Sequence, residues 1–416
     1  MASDDLSLFS NLALDDAATS ASTGTVCEPT AASSGADLLV TGNWFASRSS
    51  DAGQSWQFVD PETLFPASMG GFCCDQVALY EPSRDLWIWL LQYRTDATGT
   101  NLFRVAATDT AGFRSDSWTW WDYSPAFFES TWTDVWFDYP DAALSDGHLW
   151  LTFNQFDTAD DWQRALVFRF DLNVMAAGNP LAPQWWATTE NGSLRLSQGA
   201  GATMYWTSQQ SNAELRVFRW EDSGNVVNWW DVPVTAWSGM GQNGYSAPLP
   251  DGTNWLARTD PRVTACWTGS GVIGAAWSVD SDSGHPWPFV RIARVNESTM
   301  SVIDEPDLWS DSGAWAYPAA AANDRGEPGL SAFFGGGTRN PMHIVALYDG
   351  PGWRIATAAQ STHGPADEAW GDYVTCHRSS PAGATWVAAG YTLQNGSDRE
   401  AIEPRLVHFG READRP

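Results

Sequence analysis

The sequence predicts an all-β fold: a seven-bladed β-propeller of four-stranded antiparallel blades that spans residues 1–416 as one domain. Three observations predict it. Short runs rich in Val, Ile, Phe, Tyr, Trp and Thr are separated by Gly, Pro, Asp, Asn and Ser, and long helical periodicity is almost absent. Sets of such runs recur about every 50 to 60 residues, which is typical of propeller blades. The 27 tryptophans fall largely within these runs, where they would pack between neighbouring blades.

The second strand of each repeat is the easiest to recognise, because an apolar run follows a small turn. The central residues of six such runs are Trp87, Trp150, Tyr205, Ile273, Ser331 and Trp386. Each run is followed by a third strand, and most repeats then carry a fourth that contains Trp. A seventh unit with the same order of strands lies upstream, within residues 25–58.

The last repeat, residues 372–409, has only three strands. The run Leu6–Phe9 is the spare apolar stretch near the N-terminus. We expect it to close the ring as the outer strand of the last blade, because an unpaired sheet edge would otherwise remain.

Charge and hydropathy exclude two classes of partner. The net charge of −28 and pI of about 4.3 exclude nucleic acid, since phosphate binding requires a basic surface. The longest strongly apolar run, residues 86–91, is too short to span a bilayer, so no membrane span is expected. We expect a monomer that acts outside the cell, with its secretion signal absent from this chain; a cytoplasmic location is the alternative.

The five cysteines are Cys27, Cys73, Cys74, Cys266 and Cys376, and their spacing fits no zinc motif. One interpretation makes them small buried side chains, and the other places a disulfide among them. Cys27 precedes Glu28 as Cys74 precedes Asp75, so the two occupy equivalent places in adjacent blades. A bond from Cys27 to the adjacent pair, or a bond within that pair, is therefore conceivable.

Residues 49–56, Ser-Ser-Asp-Ala-Gly-Gln-Ser-Trp, match the pattern S-x-D-x-G-x-[S/T]-W. This stretch resembles the Asp box of the sialidase-like (BNR-repeat) propellers. In such a turn the aspartate caps backbone N–H groups, the glycine adopts a positive φ, and the tryptophan fixes the hairpin to its blade. The resemblance implies that residues 49–56 join the third and fourth strands of the first blade. A near-match at residues 280–287 falls between second and third strands and is interpreted as an ordinary loop.

Sialidases of this superfamily carry a Phe/Tyr-Arg-Ile-Pro motif before the first Asp box. Residues 26–48 contain no such motif, so no catalytic residue is carried over from sialidases. The resemblance still implies that ligands bind where the inner strands begin, on the face that carries the loops between second and third strands.

Acidic residues recur at the predicted starts of the inner strands, and we expect Glu28, Asp75, Asp134 and Asp372 to converge around the axis. Three interpretations remain open: hydrogen bonding to backbone amides, acid and base roles in glycosidic cleavage, or binding of a hard cation such as Ca²⁺. The candidate catalytic residues are Asp75, Asp134, Asp372, Tyr373 and His377. The candidate metal ligands are Glu28, Asp75, Asp134 and Asp372.

Cationic and aromatic residues on the same face form the candidate substrate-binding set, which comprises Arg94, Arg262, Tyr317, Arg339, Trp370, Arg378 and Arg399. The arginines would suit a carboxylate-bearing substrate; the alternative is that they form salt bridges with the abundant Asp and Glu. The sequence therefore favours a carbohydrate-active enzyme, a glycoside hydrolase or polysaccharide lyase, that acts on an acidic glycan. The alternative is a non-catalytic propeller that binds glycan or protein.

Overall fold

The computed structural model describes residues 6–395 and 401–416 and forms seven four-stranded antiparallel sheets. Blade I contains β2 (Thr30–Ser34), β3 (Asp37–Gly42), β4 (Phe45–Ser49) and β5 (Gln57–Val59). Blade II contains β6 (Phe72–Glu81), β7 (Leu86–Tyr93), β8 (Phe103–Thr108) and β9 (Thr119–Tyr123). Blade III contains β10 (Val135–Leu144), β11 (His148–Asp157), β12 (Trp162–Asp171) and β13 (Gln184–Thr188).

The remaining blades follow the same up-and-down order. Blade IV contains β14 (Arg195–Leu196), β15 (Thr203–Ser211), β16 (Glu214–Glu221) and β17 (Val227–Pro233). Blade V contains β18 (Val263–Gly269), β19 (Val272–Val279), β20 (Phe289–Asn296) and β21 (Ser301–Asp304). Blade VI contains β22 (Ala314–Ala322), β23 (Pro328–Gly336), β24 (Arg339–Tyr348) and β25 (Trp353–Gln360).

Blade VII joins the two ends of the chain and confirms the predicted closure. Its strands are β26 (Thr375–Arg378), β27 (Trp386–Leu393), β28 (Ile402–Arg411) and the N-terminal β1 (Leu6–Ala13). β1 runs antiparallel to β28, with Leu6 opposite Arg411 and Ala13 opposite Arg405. Leu6, Leu8 and Leu12 pack against the core, so the strand seals both a sheet edge and an apolar surface.

Helical structure is confined to short connections. These are α1 (Thr110–Arg114), α2 (Pro125–Phe128), α3 (Leu172–Ala176) and a 3₁₀ turn (Glu412–Asp414). No helix in the described part of the chain combines the length and the apolar character needed to cross a membrane.

The core lies between blades, as the tryptophan pattern predicts. Phe103 of blade II stacks on Phe153 of blade III at a centroid distance of 4.5 Å, and Trp150 of blade III meets Trp220 of blade IV edge to face at 5.3 Å. Many of the largest fully buried side chains are tryptophans, so burial in the core explains part of their abundance.

The Asp box has the structural role and place that the sequence predicts, between β4 and β5. The Asp51 carboxylate accepts hydrogen bonds from the Ser55 backbone N–H at 2.9 Å and from the hydroxyls of Ser49 and Ser55. Gly53 has a φ of +82°, and its N–H donates to the Ser49 hydroxyl. These hydrogen bonds lower the pKa of Asp51 to about 2.

One disulfide forms among the described cysteines, between the adjacent Cys73 and Cys74 in β6. Cys27, Cys266 and Cys376 are buried free thiols. Of the two bonds that the sequence makes conceivable, the bond within the pair is therefore present, and the bond to Cys27 is not.

Candidate active site

Every inner strand contributes one residue to a narrow channel along the propeller axis. These are Thr30, Val77, Asp141, Arg195, Thr264, Ala319 and Thr375. Repeated hydrogen bonds between neighbouring blades establish that these positions are equivalent. The backbone N–H of Ala78 in blade II donates to the Thr30 hydroxyl in blade I at 3.0 Å. In the same way, the backbone N–H of Leu196 in blade IV donates to the Asp141 carboxylate in blade III at 2.8 Å.

The residue two positions before each channel residue belongs to a second circle, which we call the axial ring. Its members are Glu28, Asp75, Tyr139, Ser193, Arg262, Tyr317 and Tyr373. The axial ring lies where the inner strands begin, at the end of the axis that the sequence predicts for ligand binding. Charged and hydroxyl side chains thus gather there, one from each blade.

Three blades use the same local device to form the axial ring. Glu28, Tyr139 and Tyr317 have φ values of +48°, +55° and +56°, and each precedes a proline. In blades III and VI this pair interrupts the ladder, because pairing skips from Asp138 to Asp141 and from Ala316 to Ala319. Left-handed φ values are rare for side chains of this size, so the bulges fix these residues in place at a conformational cost.

Glu28 and Asp75 lie close enough, at the start of blades I and II, for each to change the pKa of the other. Their exposed fractions are only 4% and 8%. The Glu28 carboxylate accepts from the Asn43 amide at 3.0 Å and from the Asp372 backbone N–H at 3.1 Å.

Burial and mutual repulsion raise the pKa of both groups. Burial and the nearby Asp372 raise the pKa of Glu28 to about 7. Burial, followed by the charges of Glu28 and Asp138, raises the pKa of Asp75 well above its usual range. The pair therefore retains a proton near neutral pH, as a general acid must.

Asp372 is the more accessible carboxylate, with 39% of its side chain exposed. The Arg262 guanidinium lies 3.3 Å from Asp372, 2.6 Å from Asp260, and 4.3 Å from the centre of the Tyr139 ring. Burial raises the pKa of Asp372, and the positive charge of Arg262 opposes that rise. Asp372 is thus held beside a cation at the surface of the site, whereas Glu28 and Asp75 lie deeper.

Tyrosines close the deep side of this cluster. Tyr139 and Tyr373 meet edge to face with their centroids 6.2 Å apart. The Tyr373 hydroxyl is buried and has no hydrogen-bond partner among the described residues. Below them, Arg195 and Asp141 form a buried ion pair at 2.7 Å within the channel.

Asp134 does not join the cluster, contrary to the sequence prediction. It is exposed and lies before β10, whereas the bulge that faces the axis comes later in that strand. Blade III instead contributes Tyr139 to the axial ring and Asp138 beside it. Asp138 accepts from the Gln92 amide at 2.9 Å and raises the pKa of Asp75.

His377 and Arg378 lie at the opposite end of the channel from Glu28. β26 runs along the axis, so its last residues reach the far opening, where Arg378 pairs with Asp324 at 2.6 Å. His377 is half-buried along the channel, and its partial desolvation lowers its pKa to about 4. The structure therefore divides the stretch from Trp370 to Arg378, and only Asp372 and Tyr373 belong to the cluster.

Trp370 and Tyr317 are core residues beneath the site rather than exposed surfaces for a ligand. Trp370 is fully buried and stacks on Tyr391 with centroids 4.9 Å apart. The Tyr317 hydroxyl is 2.6 Å from that of Thr259, and burial raises its pKa.

Of the other predicted arginines, Arg94 is exposed in the loop between β7 and β8, and Arg339 hydrogen-bonds to Ser312 at the β23–β24 hairpin. Neither makes an ion pair within the described part of the chain. Arg399 lies outside the described residues.

The calcium interpretation gains no support from the cluster. Within residues 6–395 and 401–416, no group of three or more His, Cys, Asp or Glu side chains is arranged to hold a metal ion. The repulsion between the carboxyl groups is instead relieved by the proton of the Glu28–Asp75 pair and by the Arg262 guanidinium.

Comparison with known proteins finds similarity at the level of structure. No protein-family model and no curated protein matches the sequence. An α-L-arabinofuranosidase from Fusarium graminearum, in complex with an iminosugar inhibitor, is 10% identical, with a TM-score of 0.49 and 98% of both chains covered. An α-L-arabinanase from Penicillium chrysogenum, complexed with arabinobiose, is 10% identical, with a TM-score of 0.46 and coverage of 97% of this chain and 98% of that one.

A Trypanosoma rangeli sialidase mutant with trans-sialidase activity is also 10% identical, with a TM-score of 0.44 and coverage of 85% of this chain and 56% of the other. The chain is thus similar in fold to these two arabinose-glycan hydrolases and to this sialidase. These likenesses concern the fold alone.

Proposed function

We propose that the protein is a glycoside hydrolase whose active site is the cluster around Glu28, Asp75 and Asp372. The observation behind this proposal is that Glu28 and Asp75 are both buried with raised pKa values, so that this pair keeps a proton near neutral pH beside the partly exposed, Arg262-paired Asp372. Glycosidic cleavage requires one protonated and one ionised carboxyl group in the same site. The Asp box and the repeat architecture, which resemble those of sialidase-like propellers, agree with this proposal.

In the proposed reaction, Asp75 donates the shared proton to the glycosidic oxygen as the bond to the leaving sugar breaks. Glu28 supports this role, because its carboxylate is left hydrogen-bonded to Asn43 and to the Asp372 N–H. Asp372 is the carboxylate that stabilises the positive charge developing on the sugar, or that activates the attacking group. Arg262 fixes the position of Asp372 through their ion pair.

The charges at the site favour a neutral glycan over the acidic glycan that the sequence favours. Five carboxyl groups meet here: Glu28, Asp75, Asp138, Asp260 and Asp372. The neighbouring guanidinium groups, Arg262 and Arg195, are already paired with carboxylates. A uronic acid would face net repulsion, and a lyase would lack a free cation to neutralise the substrate carboxylate.

The test is a screen of the purified protein for released sugar on neutral polysaccharides, aryl glycosides and acidic polysaccharides. We expect hydrolysis of a neutral substrate, with the rate falling about a hundredfold or more in Asp75→Asn and Asp372→Asn, the scale of lost acid–base catalysis. Asp134→Asn is the matched control, since this exposed residue precedes an inner strand without joining the cluster. Full activity in both cluster variants would overturn the assignment.

A non-catalytic glycan-binding propeller is the second candidate. The observation that favours it is the hydrogen bonding of Glu28 and Asp138 to Asn43 and Gln92, which would suit carboxyl groups with a structural role. The same screen separates the two candidates when it is combined with calorimetry on the same glycans. A binder would show saturable binding without release of sugar, and Asp372→Asn would change affinity alone.

A further inference from the structure

Blade II places its residue of the axial ring without the pair of a left-handed residue and a proline that blades I, III and VI use. In those blades a left-handed residue precedes a proline, and the proline ring restricts the backbone there. In blade II, Asp75 is followed by Gln76 and has no left-handed φ. The disulfide between Cys73 and Cys74 occupies the two positions directly before Asp75 instead.

The disulfide lies within a bulge whose two ends are fixed. Pairing between β6 and β7 skips from Phe72 opposite Tyr93 to Gln76 opposite Leu91. Phe72 contacts the Tyr93 ring edge to face, with centroids 6.5 Å apart. The Gln76 amide donates to the carbonyl of Phe45 at 3.0 Å and accepts from the Trp89 indole at 2.8 Å. The shape of residues 73–75 therefore depends on what restrains the chain between these anchors.

A bond between the sulfurs of adjacent residues closes a small ring that includes the peptide between them. Such a ring restricts the backbone, as the proline ring does at the equivalent bulges. Asp75 follows directly, and its carboxyl group reaches Glu28 across the boundary between blades. The direction of the Asp75 side chain is thus coupled to the conformation of the disulfide.

We propose that the Cys73–Cys74 disulfide is a positioning element of the site: it holds the β6 bulge in the shape that brings Asp75 against Glu28. Its effect on activity rests on the proposed function, whereas its effect on the carboxyl pair does not. Reduction would open the small ring, free the bulge and weaken the contact between Asp75 and Glu28.

The other cysteines leave this disulfide in place. Cys27, Cys266 and Cys376 are buried, and burial raises the pKa of each thiol. Exchange with a disulfide requires a thiolate, which these groups do not supply near neutral pH.

Cys73 and Cys74 are only half-buried, so an added dithiol such as dithiothreitol can reach them. The dithiol transfers two electrons and two protons to the disulfide, which yields two cysteine thiols, and it closes to its own cyclic disulfide.

A thermal-unfolding cycle tests the proposal without any substrate. We would compare wild type and Asp75→Asn, each oxidised and reduced, at about pH 8. In the oxidised protein Asp75→Asn should raise Tm by a few degrees, because it removes a buried acid whose raised pKa requires proton uptake on folding at this pH, while the new amide can still donate to the Glu28 carboxylate. In the reduced protein, and in the double variant Cys73→Ser/Cys74→Ser, less than half of this rise should remain. The matched control is Asp51→Asn, whose effect should be equal in both redox states.

An equal Asp75→Asn shift in the oxidised and reduced proteins would overturn the proposal. Enzymatic activity provides a second test of the role of the disulfide. On the substrate identified by the screen, reduction should lower kcat by roughly a hundredfold, as expected for a displaced catalytic group, and should change the pH profile. The double serine variant should have the same low kcat with or without dithiol. If the oxidised protein hydrolyses no glycan, the proposed function fails, and the unfolding cycle still decides the role of the disulfide.

Discussion

The backbone N–H of Asp372 donates to the Glu28 carboxylate at 3.1 Å, although 344 positions separate the two residues in the chain. Glu28 precedes the first strand of blade I, and Asp372 precedes the inner strand of blade VII. Their hydrogen bond therefore crosses the seam where the ring closes. It makes the geometry of the carboxyl cluster dependent on the junction between the first and last blades.

Removal of residues 1–13 should lower Tm by roughly 5 °C or more, because it deletes β1 and exposes the edge of β28 together with the apolar surface that β1 covers. Differential scanning calorimetry measures the change. A synthetic peptide of residues 6–13 should restore part of the loss, since it can pair with β28 as an added strand. An unchanged Tm after deletion would show that β1 does not contribute to closure.

The stability of the protein should fall as the pH rises from about 4.5 through about 7, in part because of Glu28. Its pKa is raised from the model-compound value of 4.5 to about 7 in the fold, so the folded state favours the protonated form. The stabilisation is complete below the unfolded-state pKa and is lost as the pH passes the folded-state pKa. Glu28→Gln should reduce the fall in Tm across this pH range by a few degrees. An unchanged slope of Tm against pH would contradict the assignment.

Arg262→Met should raise the pKa of Asp372, because it removes the cation that favours the ionised form. If Asp372 acts as a carboxylate, the acid limb of kcat/KM should move to higher pH by about one unit or more. Arg339→Met is the control, since Arg339 lies on the same face and has no carboxylate partner in the described part of the chain. A pH profile that stays fixed in Arg262→Met would argue against Asp372 as the reacting group.

Asp51→Asn should lower Tm by a few degrees and leave activity at moderate temperature unchanged, because Asp51 holds a turn remote from the carboxyl cluster. The pKa of Asp51 is lowered to about 2, so its contribution is present above the unfolded-state value of 3.8 and is lost as the pH falls through the folded-state value. The difference in Tm between Asp51→Asn and wild type should therefore become smaller at acidic pH. Gln54→Ala, a change to an exposed side chain in the same turn, should have little effect on Tm.

The sequence predicts the blades well, since strand composition and repeat spacing are local properties that need no knowledge of contacts. It also identifies Glu28, Asp75 and Asp372, because each stands just before or within the start of an inner strand. It misplaces Asp134, because a bulge in the middle of β10 shifts the axial position by five residues to Tyr139. The Tyr-Pro pair at 139–140, which recurs at 317–318, is the signal that could have located this bulge.

The sequence places His377 in the site incorrectly for a related reason. An inner strand rises about 3.3 Å per residue along the axis, so residues a few positions apart reach different openings of the channel. The shared proton of Glu28 and Asp75 could not be predicted at all. It depends on the distance between two blades and on the burial of both groups, and neither is encoded in a local pattern.

Each blade contributes one residue to the axial ring, and this arrangement makes the site suitable for redesign. Each ring position lies at or just before the start of its own inner strand, and the packing between blades is formed mainly by other residues, such as the pairs Phe103–Phe153 and Trp150–Trp220. A mutant library that varies only the seven axial-ring residues would therefore sample new sets of polar side chains at the axis. The packing between blades, which determines the stability of the scaffold, would stay unchanged. Positions 28, 139 and 317 would tolerate the narrowest choice, because their left-handed backbone and following proline limit which residues fit.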